Sequence, residues 1–92
     1  MRYKQVRFSE TAHEWLEGHK DVSDLKIMNI AKYKSGETIP NKDGTYTLKS
    51  GIIFRGKYND LWLKIRERHR EILIEVIVIK IHLGYLPDPS EF

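Results

Sequence analysis

Ninety-two residues, 40% apolar and 32% charged, are enough for one domain with its own core and exclude a disordered chain. The absence of cysteine excludes a disulfide framework and a thiolate zinc site. A formal net charge of +3 and a pI near 9.2 tilt the chain toward an anionic partner.

In chain order, residues 2–8 suit a short strand, with Val6 and Phe8 as the inward pair and Gln5 and Arg7 on the other face. Ser9 reads as a helix N-cap and Glu10 favours the dipole of the first turn. This helix should carry Ala12, Trp15 and Leu16 inward and His13, Glu14 and Glu17 outward, and end at Gly18. Asp21 or Ser23 should cap a second helix with an apolar stripe of Leu25, Met28, Ile30 or Ala31, and Tyr33, closed by Lys34-Ser35-Gly36. Residues 35–44, rich in turn formers, read as a loop. Thr45–Leu48 reads as a strand, Ser50-Gly51 as a turn and Ile52–Arg55 as the return strand, with breaks at Gly56 and Asn59-Asp60.

Leu61–Leu83 organises the chain, an apolar second half adjoining a cationic first half. A single helix over 60–83 is one reading, with Asn59 as cap and Gly84 just past the end. The rival is a hairpin, with strands Leu61–Glu67 and Ile72–Leu83 turning near Arg68–Glu71. Isoleucine and valine dominate 72–83, which favours strands and suits a strand covered on both faces. The fold class expected is therefore α+β in a single domain over 1–92: strand, two helices, then an antiparallel β-meander. Glu75 and Lys80 interrupt the longest apolar run, and the first ten residues lack an apolar signal region, so a cytoplasmic protein without a membrane span is expected.

On a strand, Lys64, Arg66, Arg68 and Arg70 share one face. Such a row could bind successive phosphates or stabilise charge during phosphodiester cleavage. Glu67 and Glu71 could instead balance it as a solvated face. His69 and His82 are the candidate proton-transfer groups, because imidazole titrates in the useful range. No metal site is expected, since His13 and His19 lack the spacing that places two histidines on one helical face. Gly51 and Gly56 do not form a phosphate loop, so no cofactor is expected. Trp15 and Trp62 read as core residues rather than base-stacking platforms.

The strand, two helices and meander resemble the RelE superfamily of toxin ribonucleases, particularly its YoeB-like branch. The local match lies in Lys64-Ile65-Arg66-Glu67-Arg68-His69-Arg70. The resemblance implies cleavage of messenger RNA, usually on the ribosome, and silencing by an antitoxin partner. His69-Arg70 would then supply a catalytic pair, with His82 and Tyr85 in the terminal region. The first third, Lys4-Gln5-Val6-Arg7-Phe8-Ser9 followed by two helices, is similar to a ribbon-helix-helix DNA-binding unit. That likeness implies a homodimer in which Gln5 and Arg7 read the major groove. A third reading is a non-enzymatic interaction protein of a phage or mobile element, with Ile72–Leu83 as a partly exposed edge or dimer seam.

Overall fold

The computed structural model describes residues 4–54 and 56–81. Its elements run β1 (Gln5–Phe8), α1 (Glu10–Glu17), α2 (Asp24–Tyr33), β2 (Glu37–Pro40), β3 (Tyr46–Phe54), β4 (Lys57–Glu67) and β5 (Glu71–Ile81). The five strands form one sheet in the order β1–β5–β4–β3–β2. Strands β2 to β5 make an antiparallel meander, and β1 lies parallel to β5 at the edge. The α+β expectation holds and the single helix over 60–83 does not form. His82 and Tyr85 lie outside the described residues.

Both helices start where hydroxyl side chains satisfy orphan amides. Ser9 Oγ accepts from the Ala12 N–H at 3.0 Å, and Ser23 Oγ accepts from the Lys26 N–H at 3.3 Å. Gly18 closes α1, and Lys34, at φ 49°, closes α2 in the left-handed conformation. The inward stripe of α2 differs from the expected one. Ile27 and Ala31 are buried one turn apart, whereas Leu25 and Tyr33 are 61% and 55% exposed. Met28 and Ile30 of the expected stripe pack partly buried beside the Ile27–Ala31 line, while Leu25 and Tyr33, two positions beyond its ends, fall outside it.

Strict alternation on β4 builds the core. Asn59, Leu61, Leu63 and Ile65 are buried, and Asp60, Trp62, Lys64 and Arg66 between them face the other way. On β5, Ile72, Ile74 and Ile77 join Val6 and Leu48 against Ala12, Ile27 and Ala31 of the helices. Ile74 and Ile77 can share a face, three residues apart, because of a β-bulge. Ile65 pairs with Ile74 and Lys64 with Val76, leaving Glu75 as the extra residue. Strand β5 is therefore covered on one face, contrary to the expectation of cover on both. Val76 and Val78 point to the opposite side and are 36% and 39% exposed.

Three loop expectations are corrected. Residues 37–40 form edge strand β2, where β-branched Thr38 and Ile39 pair with Leu48 and Thr47 and Pro40 is tolerated. Ser50-Gly51 is the middle of β3 rather than a turn, with Gly51 opposite Asp60. The ring of Tyr58 lies where a Cβ on Gly51 would project, so the aromatic side chain covers the strand glycine. Asn59 and Asp60 continue β4, and the reversal falls between Phe54 and Lys57, with Gly56 at φ 71°.

Candidate nucleic-acid interface

The β4–β5 turn occupies the end of the sheet where β1 begins. The Arg68 N–H donates to the Glu71 carbonyl at 2.8 Å and closes the turn around His69 and Arg70. No described non-glycine residue except Lys34 has a positive φ, so this reversal needs neither glycine nor asparagine. The Gln5 N–H donates to the Arg70 carbonyl at 3.2 Å, which ties the tip to β1. Arg68, His69 and Arg70 are all exposed.

The cationic row splits into two groups. Lys64 and Arg66 share the open face of β4, as the alternation predicts. Each meets a carboxylate from another part of the chain: Lys64 Nζ lies 3.0 Å from Asp43, and Arg66 Nε donates to Glu75 at 2.8 Å. Arg7, also on the open face, lies 3.2 Å from Glu71. Strand β4 ends at Glu67, so Arg68 and Arg70 belong to the turn and do not continue the row. The expected balancing by Glu67 and Glu71 is corrected accordingly. Asp43 and Glu75 pair with the row, while Glu71 serves Arg7 and Glu67 serves two lysines. The partners of the row were hidden because they come from distant loops and from the bulge.

Glu67 stands on the core side of the sheet and gathers Lys34 at 3.2 Å, Lys4 at 3.4 Å and the Tyr46 hydroxyl at 3.5 Å. Partial burial pulls its carboxyl upward, but hydrogen bonds and charge from Lys34 and then Lys4 outweigh that and hold it below the usual glutamate value. Burial, followed by the Glu67 charge, pushes the Tyr46 phenol up to about 12. Asp43 is held well below the ordinary aspartate range by hydrogen bonds from Thr45 and Lys64. Glu75 keeps the Arg66 guanidinium charged above its ordinary range. Asp43 and Glu67, held below their ordinary values, are weak bases and stand here as ionised partners of cations.

Among the described residues, no side chain pairs with Arg68, His69 or Arg70. No described cluster of three or more His, Cys, Asp or Glu side chains could hold a metal ion. No described helix is long and apolar enough to cross a membrane. Trp62 is not a core residue, contrary to expectation. It stands half-exposed on the open face with Lys49 and Lys80 ammonium groups 4.7 and 4.5 Å from its ring centroid. Trp15 packs on the core edge and stacks on His19 at 3.9 Å. No family model, curated protein or solved structure matches this chain.

Proposed function

We propose that this protein binds RNA in the cytoplasm through the cationic tip of the β4–β5 hairpin. One observation carries the reading: Arg68 and Arg70 stand exposed on a hydrogen-bonded turn with no described carboxylate partner, while Lys64, Arg66 and Arg7 nearby are each paired. A guanidinium that keeps its charge and its five donors is suited to phosphate oxygens. Lys4 and Lys34, gathered by Glu67, extend positive potential behind the tip.

Cleavage is the finer proposal, taken from the RelE-like resemblance. His69 would accept the proton of the 2′-hydroxyl, the 2′ oxygen would attack phosphorus to give a 2′,3′-cyclic phosphate as the P–O5′ bond breaks, the 5′ oxygen would leave with a proton taken from water, and Arg70 would stabilise the charge on the phosphate. The test is titration of the full chain with single-stranded RNA across a salt series. Arg68→Ala with Arg70→Ala should lower the affinity at low salt and reduce the salt slope by roughly 0.7 for each lost phosphate contact. Wild-type protein that binds no RNA, or a double variant that binds unchanged, overturns the binding proposal. RNA that is bound but not cut, with or without His69→Ala, removes the enzyme reading alone.

A second reading draws on β1 being an edge strand with Gln5 and Arg7 exposed. A DNA-binding regulator built on that strand needs a second copy paired along it.

A further inference from the structure

The face of the sheet away from the helices carries no described element. Six apolar or aromatic side chains stand on it in two groups: Leu73, Val76 and Val78 of β5 beside Trp62 of β4, and Ile53 of β3 across from Tyr58 of β4. Ile53 is 66% exposed and Tyr58 57%. An uncovered patch of this kind on a small domain marks a binding surface.

The charges on this face argue for a protein rather than a nucleic acid. Lys64, Arg66 and Arg7 are matched there by Asp43, Glu75 and Glu71. A face with both signs in near balance, with aromatic and aliphatic residues at its centre, has the make-up of a protein interface. A phosphate chain would instead need a surplus of cations.

The order of residues along β4 identifies the partner. On the open side the strand reads Tyr58, Asp60, Trp62, Lys64, Arg66. Asp60 and Lys64 lie equal distances either side of Trp62, one anionic and one cationic. Rotating a second copy by half a turn about an axis through Trp62, in the plane of the sheet and across the strands, leaves β4 facing β4 in reverse. Each Lys64, bridged to Asp43 of its own chain, then also comes opposite the Asp60 of the other copy, Arg66 meets the face of Tyr58, and Trp62 and Val78 meet themselves. We propose that this protein forms a symmetric homodimer by packing these two open sheet faces together. The aligned crossing of two twisted sheets accommodates that arrangement. Strand lengths and spacing give the face roughly 600 Å² per copy, at the lower edge of what specific interfaces bury. The Lys49 and Lys80 arms now lying over Trp62 would move to the rim, keeping their ammonium groups in water.

Sedimentation equilibrium of the full chain tests this. A monomer–dimer equilibrium is expected, with a dissociation constant of about 1 μM or tighter. Lys64→Asp places an anion beside Asp60 of the other copy as well as Asp43 of its own chain and should weaken the dimer at least about tenfold. Lys64→Asp combined with Asp60→Lys reverses both charges and should restore it. Val78→Lys, at an exposed position, should give a folded monomer by far-ultraviolet circular dichroism and is the variant used if Lys64→Asp does not fold. A chain that stays monomeric at every concentration overturns the proposal. So does a dimer indifferent to Val78→Lys, which would place the contact elsewhere, or a monomer whose Trp62 emission, isolated by Trp15→Phe, responds only to RNA.

Discussion

The Arg66 guanidinium meets the Glu75 carboxylate at 2.8 Å across the one bulge in the β4–β5 pairing. Glu75, the extra residue of the bulge, follows Glu71 and Leu73 onto the open face, so the cation of the row nearest the hairpin tip is already matched. Glu75→Gln removes that match while keeping the side chain's shape. Because the RNA path is placed at the tip and not on this matched face, the variant should bind RNA with an unchanged salt slope. A slope steeper by about 0.7 would place the RNA path on Arg66.

Glu67 and Tyr46 should set the pH limits of stability. The folded chain holds the Glu67 carboxyl below its ordinary value of 4.5, because Lys34 and Lys4 outweigh the opposing effect of burial. The fold therefore favours the charged form. Its contribution is complete above that ordinary value and is lost as pH falls through the lower folded value. Tyr46 behaves in the opposite sense. Its pKa rises from 10.0 to about 12 in the fold, chiefly through burial, so its contribution is present below pH 10 and is lost toward pH 12. Denaturation midpoints across pH should show both losses. Glu67→Gln should flatten the acid side, and Tyr46→Phe should flatten the alkaline side. Tyr46 should also ionise late in a phenolate absorbance titration.

Two glycines of the β2–β3 region should respond differently to alanine. At Gly36, φ is 154° and a Cβ would lie 2.1 Å from the Lys49 carbonyl oxygen, a backbone atom that cannot step aside. Gly36→Ala should cost about 2 kcal/mol or more. At Gly51 the obstacle is the outer end of the Tyr58 side chain, whose hydroxyl lies where a Cβ would stand. Tyr58 is largely exposed and can swing away, while an alanine gains what a strand glycine lacks. Gly51→Ala should stay within about 1 kcal/mol of the parent. Urea midpoints for the two variants make the comparison, and equal losses would contradict it.

These differences show what the sequence makes legible. The hairpin at His69 could be read because isoleucine and valine saturate 72–81, and the strand preference outweighs the absence of a turn-forming residue at Arg68–Glu71. The caps at Ser9 and Ser23 could be read because capping is local. Strand β2 could not, since Gly36 and Pro40 are turn residues elsewhere and only the pairing with β3 makes 37–40 extended. Ser50-Gly51 failed for the same reason, with Tyr58 supplying the missing side chain. The alternation of Lys64 and Arg66 onto one face was visible. Their neutralisation by Asp43 and Glu75 was not, because one partner lies some twenty residues away on a loop and the other reaches Arg66 only in the particular register of the hairpin. Trp62 reads as a core residue rather than a stacking platform, yet the period-two pattern of β4 places it on the face opposite Leu61 and Leu63.

Ser9 joins local and long-range structure through one oxygen. Its hydroxyl accepts from the Ala12 N–H at 3.0 Å and donates to the Glu75 carbonyl at 2.7 Å, so the cap of α1 also holds the bulged residue of β5. Its backbone N–H donates to the Ile74 carbonyl at 2.9 Å, fixing β1 alongside. Ser9→Ala removes both side-chain bonds and leaves a half-buried carbonyl without its donor. The loss should be about 2 kcal/mol, above that of a simple cap. Ser9→Asp retains an acceptor for Ala12 but has no proton for Glu75 at neutral pH, so it should recover about half of the loss. Ser9→Thr, with both functions intact, should lie nearest the parent. Denaturant midpoints at constant m-value measure the series, and a Ser9→Asp chain as stable as the parent would mean that the Glu75 bond contributes nothing.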